Sequence, residues 1–358
     1  MHGDATRLDP LVAAASMLLA YVLARGGVQI IRQIAEQRQI LDIPNERSSH
    51  TRPIPRGGGL AIVVVTTGLV LLANAALGLG SWARLLPIAA AWLLVAAVSL
   101  ADDLRSLPNR VRFAAHAIAA ATVILTVGYW DRIALPLIGD THLGWVGVPL
   151  TLLWLVGLTN AYNFMDGIDG IAGSQAVVAG LTWAMAGLII GSVGIALIGL
   201  VVAGANAGFL AYNWPPARIF MGDVGSAFIG LVLATLAVAG HEHDPRSAFV
   251  GLLAVWPFVF DAAFTFLRRA VRRENVFAPH RSHLYQRLVI VGYSHRNVTL
   301  LYTVLAALGG LLVIAWLREM PGASLAIAIV TPLAAIGLWA FVRSRERLWI
   351  PTPGNPKS

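Results

Sequence analysis

Long apolar runs separated by short polar segments fill the chain, and the runs are continuously apolar rather than alternating, so they predict helices and not a barrel. A helix crosses a bilayer in about 20 residues. Gly57 to Ala83 is long enough for one crossing and Ala172 to Ala217 for two. The pattern places crossings near Leu11 to Ala24, Leu60 to Leu79, Leu85 to Leu100, Phe113 to Tyr129, Leu143 to Leu158, Ala172 to Ile190, Val193 to Tyr212, Ser226 to Gly240, Phe249 to Leu267, Val298 to Leu317 and Ala323 to Phe341. The expected fold class is all-α: a polytopic integral membrane protein of about 11 transmembrane helices in one domain over residues 1–358. Ile30, Ile31, Ile34 and Leu41 recur at roughly helical spacing, so part of the first loop is expected to extend the first helix or to lie in the interface. The polar leader His2 to Asp9 carries no convincing cleavage site, and the first run is read as a retained helix.

Composition agrees. The chain is 57% hydrophobic and 12% charged, which excludes a soluble globule. Of the 26 basic residues, 25 are Arg, and 21 of the 26 fall on alternate segments: Arg25 to Arg56, Arg105 to Arg112, Arg218, Arg268 to Arg296 and Arg343 to Lys357. By the positive-inside rule those segments are cytoplasmic, which puts the N-terminus in the periplasm and the C-terminus in the cytoplasm. Topology thus explains the net charge of +8, and no nucleic-acid partner is expected. The absence of Cys excludes disulfides and thiolate metal sites.

Acids are scarce, and five of the 18 sit in three short segments at the predicted cytoplasmic edge. Asp102-Asp103 ends the third crossing before Arg105 and Pro108. A helix C-terminus disfavours negative charge by several tenths of a kcal/mol, so the pair is either two solvated acids balanced by nearby Arg or a functional pair. Adjacent carboxylates repel, which raises one pKa and suits a base or a cation ligand. Asn160 to Gly173 reads Asn-Ala-Tyr-Asn-Phe-Met-Asp-Gly-Ile-Asp-Gly-Ile-Ala-Gly, where a helical turn could align Asn160 with Asn163 and Asp166 with Asp169. Phe220-Met-Gly-Asp-Val-Gly-Ser226 follows Asn213 and places Asp223 just before the eighth crossing, where a helix N-terminus offers free N–H groups to anions. His280 and His283 flank Arg281, and two His without a third ligand argue against zinc. Asp261 stands inside the ninth crossing about two turns before Arg268, hence about 10 Å deep, with a basic group in the bundle as its plain partner.

These motifs, in this order, resemble the polyprenyl-phosphate N-acetylhexosamine-1-phosphate transferases, and Asp42-Ile-Pro-Asn-Glu-Arg-Ser-Ser-His50 with Pro53-Ile-Pro-Arg-Gly-Gly-Gly59 is similar to that family's first cytoplasmic loop. The resemblance spans roughly Asp42 to Leu288 and implies transfer of a sugar-1-phosphate from a UDP-N-acetylsugar to undecaprenyl phosphate, with release of UMP, at the cytoplasmic face of a bacterial inner membrane. It implies a metal role for Asp223, a proton-accepting role for Asp102 supported by Asp103, and substrate contacts from Asn160, Asn163, Asp166, Asp169 and Asn213. His280, Arg281 and His283 would bind phosphate or sugar, and family members tend to be homodimers. Mg2+, with Mn2+ as a substitute, suits these oxygen donors and two anionic substrates. The chain departs from the translocase branch in carrying Ser106 where that branch has Lys, and a short His-Arg-Ser-His where many members have a longer His-rich form. Asp261 favours the O-antigen and surface-polysaccharide branch. Direct attack and a covalent phospho-enzyme both remain open. A transporter is the rival of another class, since it too would place acids in and beside the membrane, but it predicts paired repeats and several deep acids where this chain shows one.

Overall fold

A computed structural model of the chain describes residues 8–44, 52–275 and 280–349. The Asn45 to His50 part of the first-loop motif, Arg7 and Lys357 lie outside the described residues. The helices are α1 (Pro10–Gln37), α2 (Gly59–Leu77), α3 (Trp82–Arg105), α4 (Asn109–Val127), α5 (Gly147–Phe164), α6 (Ile171–Ile189) and α7 (Val193–Asn213). They continue with α8 (Asp223–Gly240), α9 (Ser247–Ala254), α10 (Trp256–Val271), α11 (Leu284–Ile290), α12 (His295–Leu317) and α13 (Ala323–Leu348). Two small antiparallel pairs, β1 (Leu41–Asp42) with β2 (Ile54–Pro55) and β3 (Arg132–Leu135) with β4 (Gly139–His142), are the only named strands among the described residues.

Ten of these helices are long and apolar enough to cross a membrane, and α9 with α10, bent by 78°, makes an eleventh, broken span. The all-α polytopic fold is therefore observed. The first helix runs on to Gln37 and takes in Ile30, Ile31 and Ile34, so the periodic residues extend it, whereas Leu41 belongs to β1.

The expected straight ninth crossing is corrected. Pro257, in the first turn of α10, has no N–H to continue a helix, and the chain turns at Val255. The Gln175 amide of α6 donates to the Ala254 carbonyl oxygen at 2.8 Å, which satisfies a group that bilayer could not. Asp261 and Arg268 both lie on α10, the longer arm after the bend, so the rise of about 10 Å between them is a distance along that arm and not a depth along one straight crossing.

Helix α8 is apolar all round and its spanning window is 89% buried, against 17% for α1 and 22% for α13, so it is the central post and the outer helices present their apolar faces to lipid. Helices α6 and α7 are next most enclosed and approach closely: a Cβ on Gly180 would fall 2.6 Å from the Gly199 carbonyl oxygen and 2.8 Å from the Ala203 nitrogen. Because both obstacles are backbone, Gly180→Ala is expected to destabilise by about 2 kcal/mol, read as a lower thermal midpoint in detergent. An unchanged midpoint would show that the pair separates freely.

Contacts sort the loops into two ends. Arg84 pairs with Glu242, His241 with Asp131, and the Ala134 N–H donates to the Pro245 carbonyl oxygen at one end. The segments after α1, α3, α5, α7 and α10 meet at the other, where the described parts of the sequence motifs gather.

Candidate active site

Successive residues on a helix point about 100° apart, so Asp102 and Asp103 in the last turn of α3 diverge. The repulsion expected between them gives way to separate partners. Asp103 faces the start of α8, where its Oδ1 and Oδ2 accept the Asp223 and Val224 N–H groups at 3.0 and 3.1 Å. The N–H groups that the sequence offered to an external anion are thus taken by Asp103. Gly222 makes this fit: its φ is +78°, and a Cβ there would fall 2.6 Å from Asp103 Oδ2. Asp102 Oδ1 accepts the Leu107 N–H at 2.6 Å, and its Oδ2 lies 2.9 Å from Arg112 Nη1.

Asp223 is the first residue of α8 and sits between two guanidiniums. Arg56 Nη2 is 3.1 Å from its Oδ1 and 2.6 Å from Asp103 Oδ1, while Arg112 Nη2 is 3.4 Å from its Oδ2. Arg112 stands in the first turn of α4. Arg56 is delivered by a strand-like seam in which the Phe220 N–H donates to the Pro55 carbonyl oxygen at 2.8 Å and the Gly58 and Gly59 N–H groups return bonds to Phe220 and Met221 at 2.9 Å each. Burial opposes the Arg56 charge, but Asp103 and Asp223 outweigh it and hold the guanidinium above its ordinary pKa.

Asn160 and Asn163 do share the last turns of α5. Asn163 Oδ1 accepts from Ser226 Oγ at 3.3 Å, beside the start of α8. The Asn160 amide donates to the Val156 carbonyl oxygen at 2.7 Å and meets His116 Nδ1 at 3.1 Å. Asp166 and Asp169 are not aligned by a helical turn, because α5 ends at Phe164 and the chain reverses at Gly170, whose φ is +78°. Asp166 stays with the acid cluster, where burial and then Asp223 push its pKa up to about 7. Asp169 instead joins backbone segments: its Oδ2 accepts the Ala217 N–H at 3.0 Å, its Oδ1 is 3.2 Å from His295 Nδ1, and its carbonyl oxygen accepts from Thr299 Oγ1 at 2.8 Å. Asn213 works alongside, accepting the Gly170 N–H and donating to the Ile219 carbonyl oxygen, each at 2.9 Å.

In the His280 to His283 loop, His283 is buried with its Nδ1 3.3 Å from Asp261 Oδ1. The His280 ring lies 5.0 Å from that of His283, and burial followed by His283 pulls its pKa down to about 4. Arg281 is half-buried, and Arg268 anchors the loop by donating to the Ser282 carbonyl oxygen at 2.7 Å.

Sequence reasoning did not single out Arg56, Arg112, His116 or Tyr285. Arg56 stands in the sequence only as part of the first-loop motif Pro53 to Gly59, with no role of its own, and Arg112, nine residues beyond Asp103, only as a topological charge.

The profile of glycosyl transferase family 4 matches residues 85–241, which hold Asp102, Asp103, Asp166, Asp169 and Asp223. The chain is 34% identical over 279 residues, 77% of each sequence, to a Bacillus subtilis protein described as a probable undecaprenyl-phosphate N-acetylglucosaminyl 1-phosphate transferase. It is 33% identical over 305 residues, 76% of this chain and 74% of the other, to a decaprenyl-phosphate N-acetylglucosaminephosphotransferase of Mycobacterium tuberculosis. A Thermotoga maritima undecaprenyl-phosphate alpha-N-acetylglucosaminyl 1-phosphate transferase is 28% identical over 265 residues, 73% of this chain and 77% of the other. With its acids, arginines and Asn/Asp/Gly loop gathered at one end of an all-helical membrane bundle, the chain belongs to the polyprenyl-phosphate N-acetylhexosamine-1-phosphate transferases, glycosyl transferase family 4.

Proposed function

We propose that the protein transfers an N-acetylhexosamine-1-phosphate from a UDP-sugar to undecaprenyl phosphate, releasing UMP and starting a lipid-linked surface polysaccharide. The carrying observation is the convergence of Asp102, Asp103 and Asp223 on Arg56 and Arg112 at one end of the bundle. N-acetylglucosamine is the first candidate sugar, since it stands in the names of all three relatives. The Arg distribution supports a cytoplasmic position for this end, where a soluble nucleotide sugar would reach it.

The four carboxylates of Asp102, Asp103, Asp166 and Asp223 outnumber two guanidiniums, and Asp223 adds to the burial that raises the pKa of Asp166. A divalent cation fits this surplus. Among the described residues no three His, Cys, Asp or Glu groups are arranged to hold a metal, so the protein would supply few ligands, with water and substrate phosphates completing the shell. That is the manner of Mg2+, with Mn2+ as a substitute. Asp223 is the ligand we assign, and the ion would supply charge neutralisation on the diphosphate.

Asp102, oriented by Arg112 and the Leu107 N–H, would take the proton of the acceptor phosphate. An oxygen of that phosphate then bonds to the β-phosphorus while the bond to the α-phosphate oxygen breaks, and UMP leaves with the electron pair. Arg56 and Arg112 would meet the crowded phosphate oxygens, which a guanidinium fork suits. Asn160, Asn163 and Asp166 line the donor side, while Asp169 and Asn213 hold the shape of the loop that presents them.

Purified protein given Mg2+, undecaprenyl phosphate and a panel of labelled UDP-N-acetylsugars is expected to yield a lipid-linked sugar and equimolar UMP, and EDTA to stop both. Absence of UMP with every sugar in the panel would refute the enzyme reading.

A further inference from the structure

Asp261 has no part in the chemistry above, yet it is fully buried and heavily engaged. Its Oδ1 accepts the Leu284 N–H at 2.8 Å and Thr265 Oγ1 at 3.1 Å, with His283 Nδ1 at 3.3 Å. Its Oδ2 accepts the Tyr302 hydroxyl at 2.6 Å and the Tyr285 N–H at 3.1 Å. One carboxylate thereby ties α10, the start of α11 and α12 together. A buried carboxylate so fully hydrogen-bonded has no acceptor capacity left for a substrate, so its effect must pass through the groups it holds.

Tyr285 carries that effect outward. Its side chain is buried, and its hydroxyl donates to the Phe164 carbonyl oxygen at 3.1 Å, the last residue of α5. A Cβ built on Gly167 would collide with the same hydroxyl. The hydroxyl therefore touches the Asn163 to Gly170 loop at two points, one attractive and one steric, on either side of Asp166. Tyr285 also stacks on His283 at 5.8 Å between ring centroids, so the His280 to His283 loop and the Asp166 loop share one support.

We propose that Asp261 is a positioning residue whose hydrogen bonds fix Tyr285, and that the Tyr285 hydroxyl seats the Asp166 loop against the donor substrate. The device rests on the proposed reading of that loop as the UDP-sugar side of the site. It acts on donor binding and alignment and leaves the acceptor side untouched.

The test uses the full-length protein in detergent. In Tyr285→Phe and Asp261→Asn, hydrogen exchange at the Gly167 to Gly170 amides is expected to quicken about fivefold or more, as the loss of one hydrogen bond implies, while α7 amides keep their rates. KM for the UDP-sugar should rise by a similar factor with KM for undecaprenyl phosphate unchanged, and the double variant should be no worse than Asp261→Asn alone, because both changes break one linkage. Gly167→Ala is expected to lose about a hundredfold in kcat/KM through misplacement of the loop, and Tyr285→Phe in the same chain to restore about tenfold by removing the colliding oxygen. Additive losses with native exchange at Gly167 to Gly170, or Gly167→Ala left unrescued by Tyr285→Phe, would overturn the proposal. A parent protein that releases no UMP would instead refute the activity, and the exchange comparison would still decide the positioning role.

Discussion

Asp223→Ala is expected to lose about a thousandfold or more in turnover, the scale seen when a charge-stabilising group is removed from a reacting centre, and yet to remain extractable and folded. The two halves of this expectation have separate structural causes. Both oxygens of Asp223 face the cluster, where Arg56 and Arg112 hold them in place. Its removal deletes the assigned cation ligand and leaves two guanidiniums with one anchor fewer. The start of α8, by contrast, takes its cap from Asp103, which accepts the Asp223 and Val224 backbone N–H groups whatever side chain position 223 bears. The side chain is 20% exposed at the edge of the charged cluster and not packed in the apolar core, so its loss opens no cavity there. UMP release reads the first half, and the thermal midpoint together with Mn2+ binding by electron paramagnetic resonance reads the rest. Retained turnover would refute the metal assignment, and native Mn2+ affinity with lost turnover would move the ion to another carboxylate.

Much of the fold could be read because lipid imposes one rule on every crossing, and a continuous apolar run satisfies it in only one way. The ninth crossing escaped because its break depends on Pro257 acting together with a partner, Gln175 on α6, that no local pattern reveals. In the site, the acids stood out because acids are rare in this chain. Arg56 and Arg112 did not, since a cytoplasmic arginine already has a topological reason to exist and only the meeting of three loops shows its second one. Asp166 and Asp169 share a spacing but not a role. One remains with the carboxylate cluster and the other is spent on Ala217, His295 and the segment around Thr299, a division decided by where Gly170 turns the chain.

Asp103→Ala and Asp102→Asn should therefore fail in different ways, although the two acids are neighbours. The Asp103 side chain is 4% exposed, pairs with Arg56 and accepts both leading N–H groups of the central helix. Its truncation leaves two donors at the start of α8 without that acceptor and Arg56, 31% exposed, with Asp223 as its remaining partner, a loss of about 2 to 3 kcal/mol. A sharp fall in thermal midpoint and loss of activity are expected together, since Arg56 and the start of α8 both lose their reference point. Asp102 has lighter duties, one N–H from Leu107 and one arginine. An amide at that position can still accept the Leu107 N–H but cannot take a proton from the acceptor phosphate. Asp102→Asn is thus expected to keep its midpoint within about 1 kcal/mol of the parent while kcat falls about a hundredfold or more, the scale of a lost general base. Equal midpoints for the two variants would refute the capping role of Asp103, and unimpaired kcat in Asp102→Asn would remove Asp102 from proton transfer and leave it as an anchor for Arg112.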